Sequence, residues 1–422
     1  MNDTTTRGAG APTDLRIDGG RLWQSLMDLA AIGATPLGGV RRIALTDLDR
    51  QGRDQVVEWF RAAGLEMRVD PIGNIFGRRA GRDPAAAPVV AGSHIDTQPS
   101  GGKFDGNYGV LAGLEVVRTL NDRGIATVAP IEVAVWTNEE GTRFTPVMMG
   151  SGVFAGVHPL AEVLARTDLD GRAVGDELQR IGYAGTAPLG TPVGAYFEAH
   201  IEQGPVLEDA RTTIGVVTGA LGQRWYDVTV TGMNAHAGPT PMRLRKDALL
   251  AAARLVGEVN RIALEHAPHG RGTVGFMQVS PNSRNVIPGE AKFSVDFRHA
   301  TDDGLAGMAA ALRAAGARVG RETNVAVALA EAVYFPPCHF DPACVAAVRG
   351  AAGALGLSHQ DIVSGAGHDA VYVARVAPAA MIFVPCKDGI SHNEIEDAAP
   401  ADLAAGCDVL ARALLARAGA AG

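Results

Sequence analysis

The chain has 422 residues, more than a single domain usually holds, so two domains are expected. Apolar residues make up 47% and charged residues 20%, the balance of a globular protein and not of a disordered one. Net charge is −8 without any basic stripe, which argues against nucleic acid or anionic membrane as a partner.

In chain order, MNDTTTRGAGAPTD is polar and lacks the apolar core of a secretory signal, and residues 1–13 read as a loose tail. Asp18 can cap a helix with Leu22, Leu26 and Leu29 on one side. A second helix starts near Thr46 and stops at Gly64. Leu65–Val69 and Asn74–Arg78 alternate as strands. Pro88–Ser93 is a short apolar strand running into GSHIDT, and a helix with Val110, Leu114 and Val117 follows from Gly106 to Gly124. Ile131–Thr137 is another apolar strand, ending in Asn138-Glu139-Glu140-Gly141. Apolar strands alternating with helices predict an α/β fold with a mainly parallel sheet covered on both faces. Ligands bind such sheets beyond the carboxyl ends of the strands, where His94–Asp96 and Glu139–Glu140 fall.

From about Gly215 the pattern changes. Tyr226, Val228 and Val230 alternate with Asp227, Thr229 and Thr231, predicting a strand with one wet face. A helix carrying Ala248, Ala252, Leu255, Val259 and Ile262 comes next, then strands near 272–280 and 290–298, a helix near 302–316 and a strand near 323–330. This β-α-β-β-α-β order describes a small open-faced sandwich inserted into the first domain. The expected division is 14–214 with 331–422 for the main domain and 215–330 for the insertion, with hinges near 213–216 and 329–333. Asp341-Pro342 starts a further helix, Ala379–Val384 is an apolar strand leading to Gly389-Ile390-Ser391-His392, and a helix over about 401–418 closes the chain. Cys338, Cys344, Cys386 and Cys407 follow no CxxC spacing and read as reduced, packed thiols. With no apolar run of the ~18 residues a bilayer requires, the expected location is the cytoplasm.

Five segments bring metal-capable side chains to strand ends: His94 in GSHIDT, Asp105 in GGKFDGNYG, Glu139-Glu140 in TNEEGTRF, His200 in FEAHIEQG and His392 in GISHNE. Imidazoles with carboxylates suit zinc, and also manganese, cobalt or nickel. Five ligands exceed one tetrahedral zinc and suit two ions sharing a carboxylate. Each segment alone has a plainer explanation, such as a solvent-facing histidine or an Asp-Gly turn. Paired glutamates at the end of a buried strand are harder to explain without a cation, because they repel and lose hydration together.

GSHIDT, GGKFDG, TNEEGTRF, FEAHIEQG, NAHAGPTPM, NSRNVIPG, SGAGHDA and GISHNE occur in this order over nearly the whole chain. The sequence resembles the M20-type metallopeptidase superfamily in its amidase/carbamoylase branch, which includes N-carbamoyl-L-amino acid hydrolases, β-ureidopropionases and allantoate amidohydrolases. The resemblance implies a di-metal hydrolase acting on linear amides, with Asp105 bridging two divalent ions. His94 and His200 would complete one site, and Glu140 and His392 the other. Histidine at 200, where related peptidases use a carboxylate, is characteristic of the branch. Glu139 would be the general base.

The resemblance also implies a homodimer joined through the inserted lid domain, with His236 of the HAG motif reaching the partner's active site to stabilise an oxyanion. It assigns Arg298, helped by Asn285, Gln203 and the Gly367 backbone, to the carboxylate of a small ureido substrate. Asp96 is expected to accept a hydrogen bond from His94 and fix its tautomer. His368 reads as a structural or supporting residue, and Cys386 as an inert buried thiol. The run HIDTQPSGGKFDGNYGVLAGLE is closer to carbamoylases and β-ureidopropionases than to allantoate enzymes. Between an N-carbamoyl α-amino acid and N-carbamoyl-β-alanine, one methylene apart, the sequence leaves the choice open. Rival readings are an M20-type dipeptidase and a non-catalytic binding protein, though the latter would have shed Glu139 or a ligand.

Overall fold

The computed structural model describes residues 14–421, and the expected tail over residues 1–13 lies outside the described residues. The helix Gly19–Ala31 begins where Asp18 accepts a hydrogen bond from the Arg21 amide, and it buries Leu22, Leu26 and Leu29. Thr46 caps the helix Asp47–Ala62 in the same way, and Gly64 takes the left-handed conformation just beyond its end.

A nine-stranded sheet organises this part of the chain. At its centre Ile131–Trp136, Val89–His94, Ala195–Ile201 and Ala379–Val384 lie side by side and parallel. All four are buried along their whole length, which is why three of them, Ala195–Ile201 excepted, read as apolar runs in the sequence. The flanks are antiparallel. Glu66–Val69 and Ile75–Arg79 form a hairpin, because the five residues between them are too few for a parallel crossover. Ile214–Ala220 runs antiparallel to Ala379–Val384 on the other side. The expected mainly parallel sheet is therefore parallel at its core and mixed overall. The strands Ala195–Ile201, Ile214–Ala220 and His359–Ser364 and the short helices Met149–Phe154, Leu160–Leu164 and Val174–Ile181 were not legible from periodicity.

The helices Gly19–Ala31, Asn107–Asp122 and Pro400–Ala418 pack on one another, and the last two also press on the central strands. Two buried arginines tie the loops beyond those strands. Arg42 donates to the Ile95, Leu29 and Ile32 carbonyls and to Asn107 Oδ1, joining the segment after His94 to the helix after Asp105. Arg53 pairs with Asp49 at 2.9 Å and reaches the Gly73 carbonyl and Thr137 Oγ1, bracing the turn before Glu139.

The chain forms two compact units: one takes the chain up to Thr218 and from Phe340 onward, the other is Gly219–His339. The division falls beyond the sequence boundaries at 214 and 330, at Thr218 on the first crossing and as far on as His339 on the second. Ile214–Ala220 belongs mostly to the large sheet, and Ala326–Phe335 runs as one strand past residue 330. Within the second unit, Gly222–Thr231 and Glu290–His299 are central strands. Helices Ala248–Glu265 and Asp302–Thr323 cover one face, and Tyr226, Val228, Phe293, Val295, Phe297, Leu255 and Leu312 form its core. Among the described residues no helix is long and apolar enough to cross a membrane.

Candidate metal centre

His94 is the last residue of Val89–His94, and Glu139 and Glu140 follow Ile131–Trp136. His200 lies at the end of Ala195–Ile201, and His392 is reached from Ala379–Val384 through a loop. Asp105 precedes the helix Asn107–Asp122. The parallel strands thus deliver these side chains to one edge of the sheet. Asn138, Gln203 and His392 hold left-handed backbone angles near +55°, a conformation that costs a non-glycine residue about 1–2 kcal/mol. Such outliers cluster where surrounding structure fixes them for a purpose.

Asp105 sits at the middle. Its Oδ1 lies 3.1 Å from His200 Nε2 and 3.6 Å from His94 Nε2. Its Oδ2 lies 3.3 Å from His392 Nε2, which is 3.4 Å from Glu140 Oε2. Two groups capable of holding a cation result, His94–Asp105–His200 and Asp105–Glu140–His392, sharing the one carboxylate. Ligand atoms about 2.1 Å from a tetrahedral zinc lie about 3.4 Å from each other, so these separations fit an ion at either position. Among the described residues, no lysine or arginine forms an ion pair with Asp105, Glu139 or Glu140, only imidazoles do.

Electrostatics point the same way. Burial drives the Glu139 carboxyl well above its ordinary range, against the pull of His94. Burial and the Asp105 charge push Glu140 up to about 7. Burial would also raise Asp105, but hydrogen bonds from His200, His392 and His94 outweigh it and hold that carboxyl well below its ordinary value. The hydrogen bond to Asp105 lifts His392 to about 9. Carboxylates that seek protons beside imidazoles that retain them form a site where divalent cations can displace protons.

The orienting bonds differ from the expectation in one respect. His94 Nδ1 meets the main-chain carbonyl of Asp96 at 2.9 Å, whereas the Asp96 carboxylate stands 3.8 Å away. That carboxylate accepts the Glu139 and Glu140 amides instead, at 3.2 and 3.3 Å. Asp96 therefore fixes the His94 tautomer through its backbone, and its side chain shapes the turn carrying the glutamates. His200 Nδ1 is likewise held by the Ile201 carbonyl at 2.8 Å.

The two glutamates are treated differently. Glu140 accepts from the Gln98 amide at 3.1 Å and from Gln98 Nε2 at 2.6 Å, while Thr142 Oγ1 holds the Gln98 carbonyl at 3.1 Å. Among the described residues, the ion-pair contact of the Glu139 carboxylate is with His94 Nε2 alone, at 3.5 Å. Gln98, Glu198 and Glu396 went unnoticed in the sequence. Glu198 is buried, accepts from Ser93 Oγ and the Ala370 amide, and groups with His200 and His368 as a further set of potential ligands. Its position two residues before His200, on the same face of the strand, was the available signal.

Gln203 is turned toward this centre, with Nε2 2.8 Å from Asp105 Oδ2. Gly367 lies beside the end of the Met148 side chain, where a methyl group would meet Met148 Cε at 3.2 Å. His368 is buried 4.5 Å from the His200 ring, bonded to Ser364 Oγ, and burial together with His200 holds it neutral. Cys386 is buried and its thiol is pushed up to about 11 by burial, which makes it unreactive.

His236, Asn285 and Arg298 belong to the second unit. His236 is exposed on a short ribbon, paired with Val286, and the Asn285 carbonyl accepts the Ala237 amide at 2.9 Å, so the two residues are neighbours. Arg298 lies on the sheet face opposite Phe293, Val295 and Phe297, 3.0 Å from Asp296.

Residues 90–416 match the peptidase family M20/M25/M40, and the chain belongs to that family. It is 51% identical over 401 residues to an N-carbamoyl-L-amino-acid amidohydrolase of Rhizobium meliloti, covering 95% of this chain and 96% of that one. With an N-carbamoyl-L-amino acid amidohydrolase of Geobacillus stearothermophilus it shares 39% identity, over 93% and 97% of the two chains. A solved amidase of the hydantoinase/carbamoylase family from Burkholderia multivorans is 62% identical, with a TM-score of 0.93 over 96% of this chain and 98% of that one.

Proposed function

We propose that this family member is a two-metal amidohydrolase that cleaves the carbamoyl amide bond of N-carbamoyl-L-amino acids. The observation carrying the proposal is the shared carboxylate: Asp105 turns one oxygen to His94 and His200 and the other toward His392 and Glu140, leaving Glu139 uncommitted beside them. The names of the relatives supply the substrate class.

His94, His200 and Asp105 would hold one ion, and Asp105, Glu140 and His392 the other. Zinc suits this donor set, as do manganese, cobalt and nickel. Bound divalent ions would supply a water acidic enough to ionise near neutrality and a Lewis acid for the ureido carbonyl. Glu139 accepts the proton of the attacking water and passes it to the departing amine nitrogen. The C–N bond to the amino acid breaks, giving the free amino acid and carbamate, which decays to carbon dioxide and ammonia. Glu140 is committed elsewhere, since Gln98 donates to both of its oxygens and the second ion would take a remaining lone pair. Arg298, with Asn285, Gln203 and the Gly367 backbone, binds the substrate carboxylate, and a guanidinium matches it in bidentate fashion. His236, contributed across a homodimer by the lid domain, donates to the developing oxyanion.

A panel of N-carbamoyl-L-amino acids, N-carbamoyl-β-alanine, allantoate and dipeptides, assayed with zinc and with manganese, tests the reading. Ammonia release should be fastest from an N-carbamoyl-L-amino acid. Preference for allantoate or N-carbamoyl-β-alanine would move the chain to a neighbouring branch, dipeptide cleavage would make it a peptidase, and no turnover with any metal would refute an enzyme.

A further inference from the structure

The two cation positions are built to different standards. At the first, His94 and His200 are buried and each is oriented by a main-chain carbonyl. At the second, the His392 side chain is 52% exposed, and among the described residues its other ring nitrogen has no such tether. Its place must be set by the loop that carries it.

That loop folds back just after His392. The Glu396 amide bonds the Asn393 carbonyl at 3.0 Å, and the Ile395 amide bonds Asn393 Oδ1 at 3.2 Å. The turn carries the Glu396 carboxylate inward, where it is 3% exposed. Glu396 Oε1 accepts the Phe104 amide at 2.9 Å and the Asp105 amide at 3.1 Å. Glu396 Oε2 accepts Ser391 Oγ at 2.8 Å, one residue before His392. A single side chain thus grips the Asp105 backbone with one oxygen and the His392 loop with the other. Gly102 makes room for it, since a Cβ there would lie 2.1 Å from Glu396 Cδ.

Ser391 Oγ is also 3.1 Å from Asp105 Oδ2 but has one proton to give. The shorter contact is with Glu396 Oε2, so the proton goes to Glu396 and leaves the Asp105 Oδ2 lone pair on the His392 side for a cation. A glutamine at 396 could still accept both amides, but its own N–H groups would face Ser391 and turn the hydroxyl onto Asp105 Oδ2. We infer that Glu396 is a positioning residue that sets the second cation position by clamping the His392 loop to the Asp105 loop and orienting Ser391. This rests on the two-metal reading above.

The experiment titrates the metal-stripped full-length chain with Mn²⁺ and with Co²⁺, following heat and, for cobalt, the visible spectrum, without substrate. Glu396→Gln and Ser391→Ala should keep the first ion within about threefold of the wild type and bind the second about 10–100-fold more weakly, the usual cost of losing a partner that orients a ligand. Ser391→Ala keeps the amide bonds to Glu396 and guards against a Glu396 variant that fails to fold. Second-ion binding at the wild-type level in both variants, or equal weakening of both steps, would overturn the inference alone. A wild type that takes up only one ion would sink the two-metal reading and this inference with it.

Discussion

Replacing Glu139 by glutamine separates the chemistry from the scaffold. Glutamine has the same shape, and the hydrogen bonds of Glu139 to its surroundings use its backbone: the amide to Asp96 Oδ1 at 3.2 Å and the carbonyl from Met148 at 2.7 Å. The carboxylate makes one ionic contact, with His94 Nε2 at 3.5 Å, so the variant loses little packing and no buried hydrogen bond. Because burial already disfavours the charged carboxyl, neutral glutamine should leave the melting temperature of the metal-free protein unchanged or raised. Turnover is another matter. A positioned base contributes about 10²–10⁴-fold, and here no second base stands ready, since Glu140 is held by Gln98. A fall of about 10³–10⁴ in kcat is expected, equal to roughly 4–5.5 kcal/mol of lost transition-state stabilisation, with KM little changed. Ammonia release on N-carbamoyl-L-amino acids gives the rate, and elemental analysis of the same sample gives the metal content. A variant with full metal content that turns over within threefold of the wild type would refute the assignment of the base.

Gly106→Ala should damage the first cation position. Gly106 has φ +65°, and a Cβ there would lie 2.4 Å from His94 Nε2, so about 1–2 kcal/mol of stability and the first ion should be lost together, read by thermal melting and metal titration. The metal-free protein should lose stability as pH rises from about 6.5 to 9. His392, raised from 6.5 to about 9, stabilises the fold at low pH and loses that contribution across this window, whereas Glu140, raised from 4.5 to about 7, loses its contribution between those values and adds only the start of the decline. His368, depressed by burial, works the other way only as pH falls below 6.5. Melts across that range should show the decline, and an added divalent ion should abolish it; a flat or rising profile would contradict the electrostatics. If His236 acts across a dimer, mixing inactive Glu139→Gln and His236→Ala chains should restore about one quarter of wild-type activity, because half of the random dimers carry one intact site. Mixtures that stay inactive would place His236 elsewhere.

The sequence alone made the parallel strands, their helices and the ligand-bearing turns legible, because each rests on local pattern: unbroken apolar runs, helical spacing around Val110 and Leu114, and polar clusters at strand ends. Periodicity failed over 140–194, where short helices have too few turns to show a face, and at Ala195–Ile201, whose buried Glu198 and His200 interrupt the apolar run. Which oxygen orients His94 was beyond the sequence, since the Asp96 carbonyl and carboxylate are two atoms of one residue and only folding chose between them. Gln98 and Glu396 stayed hidden for a related reason. Each acts on a group far along the chain, Glu396 on an amide 291 residues away. Side-chain type and spacing report what a segment can do locally, whereas the partner that uses it is set by packing between segments, and hydrogen bonds of fixed length and angle exist only once that packing is complete.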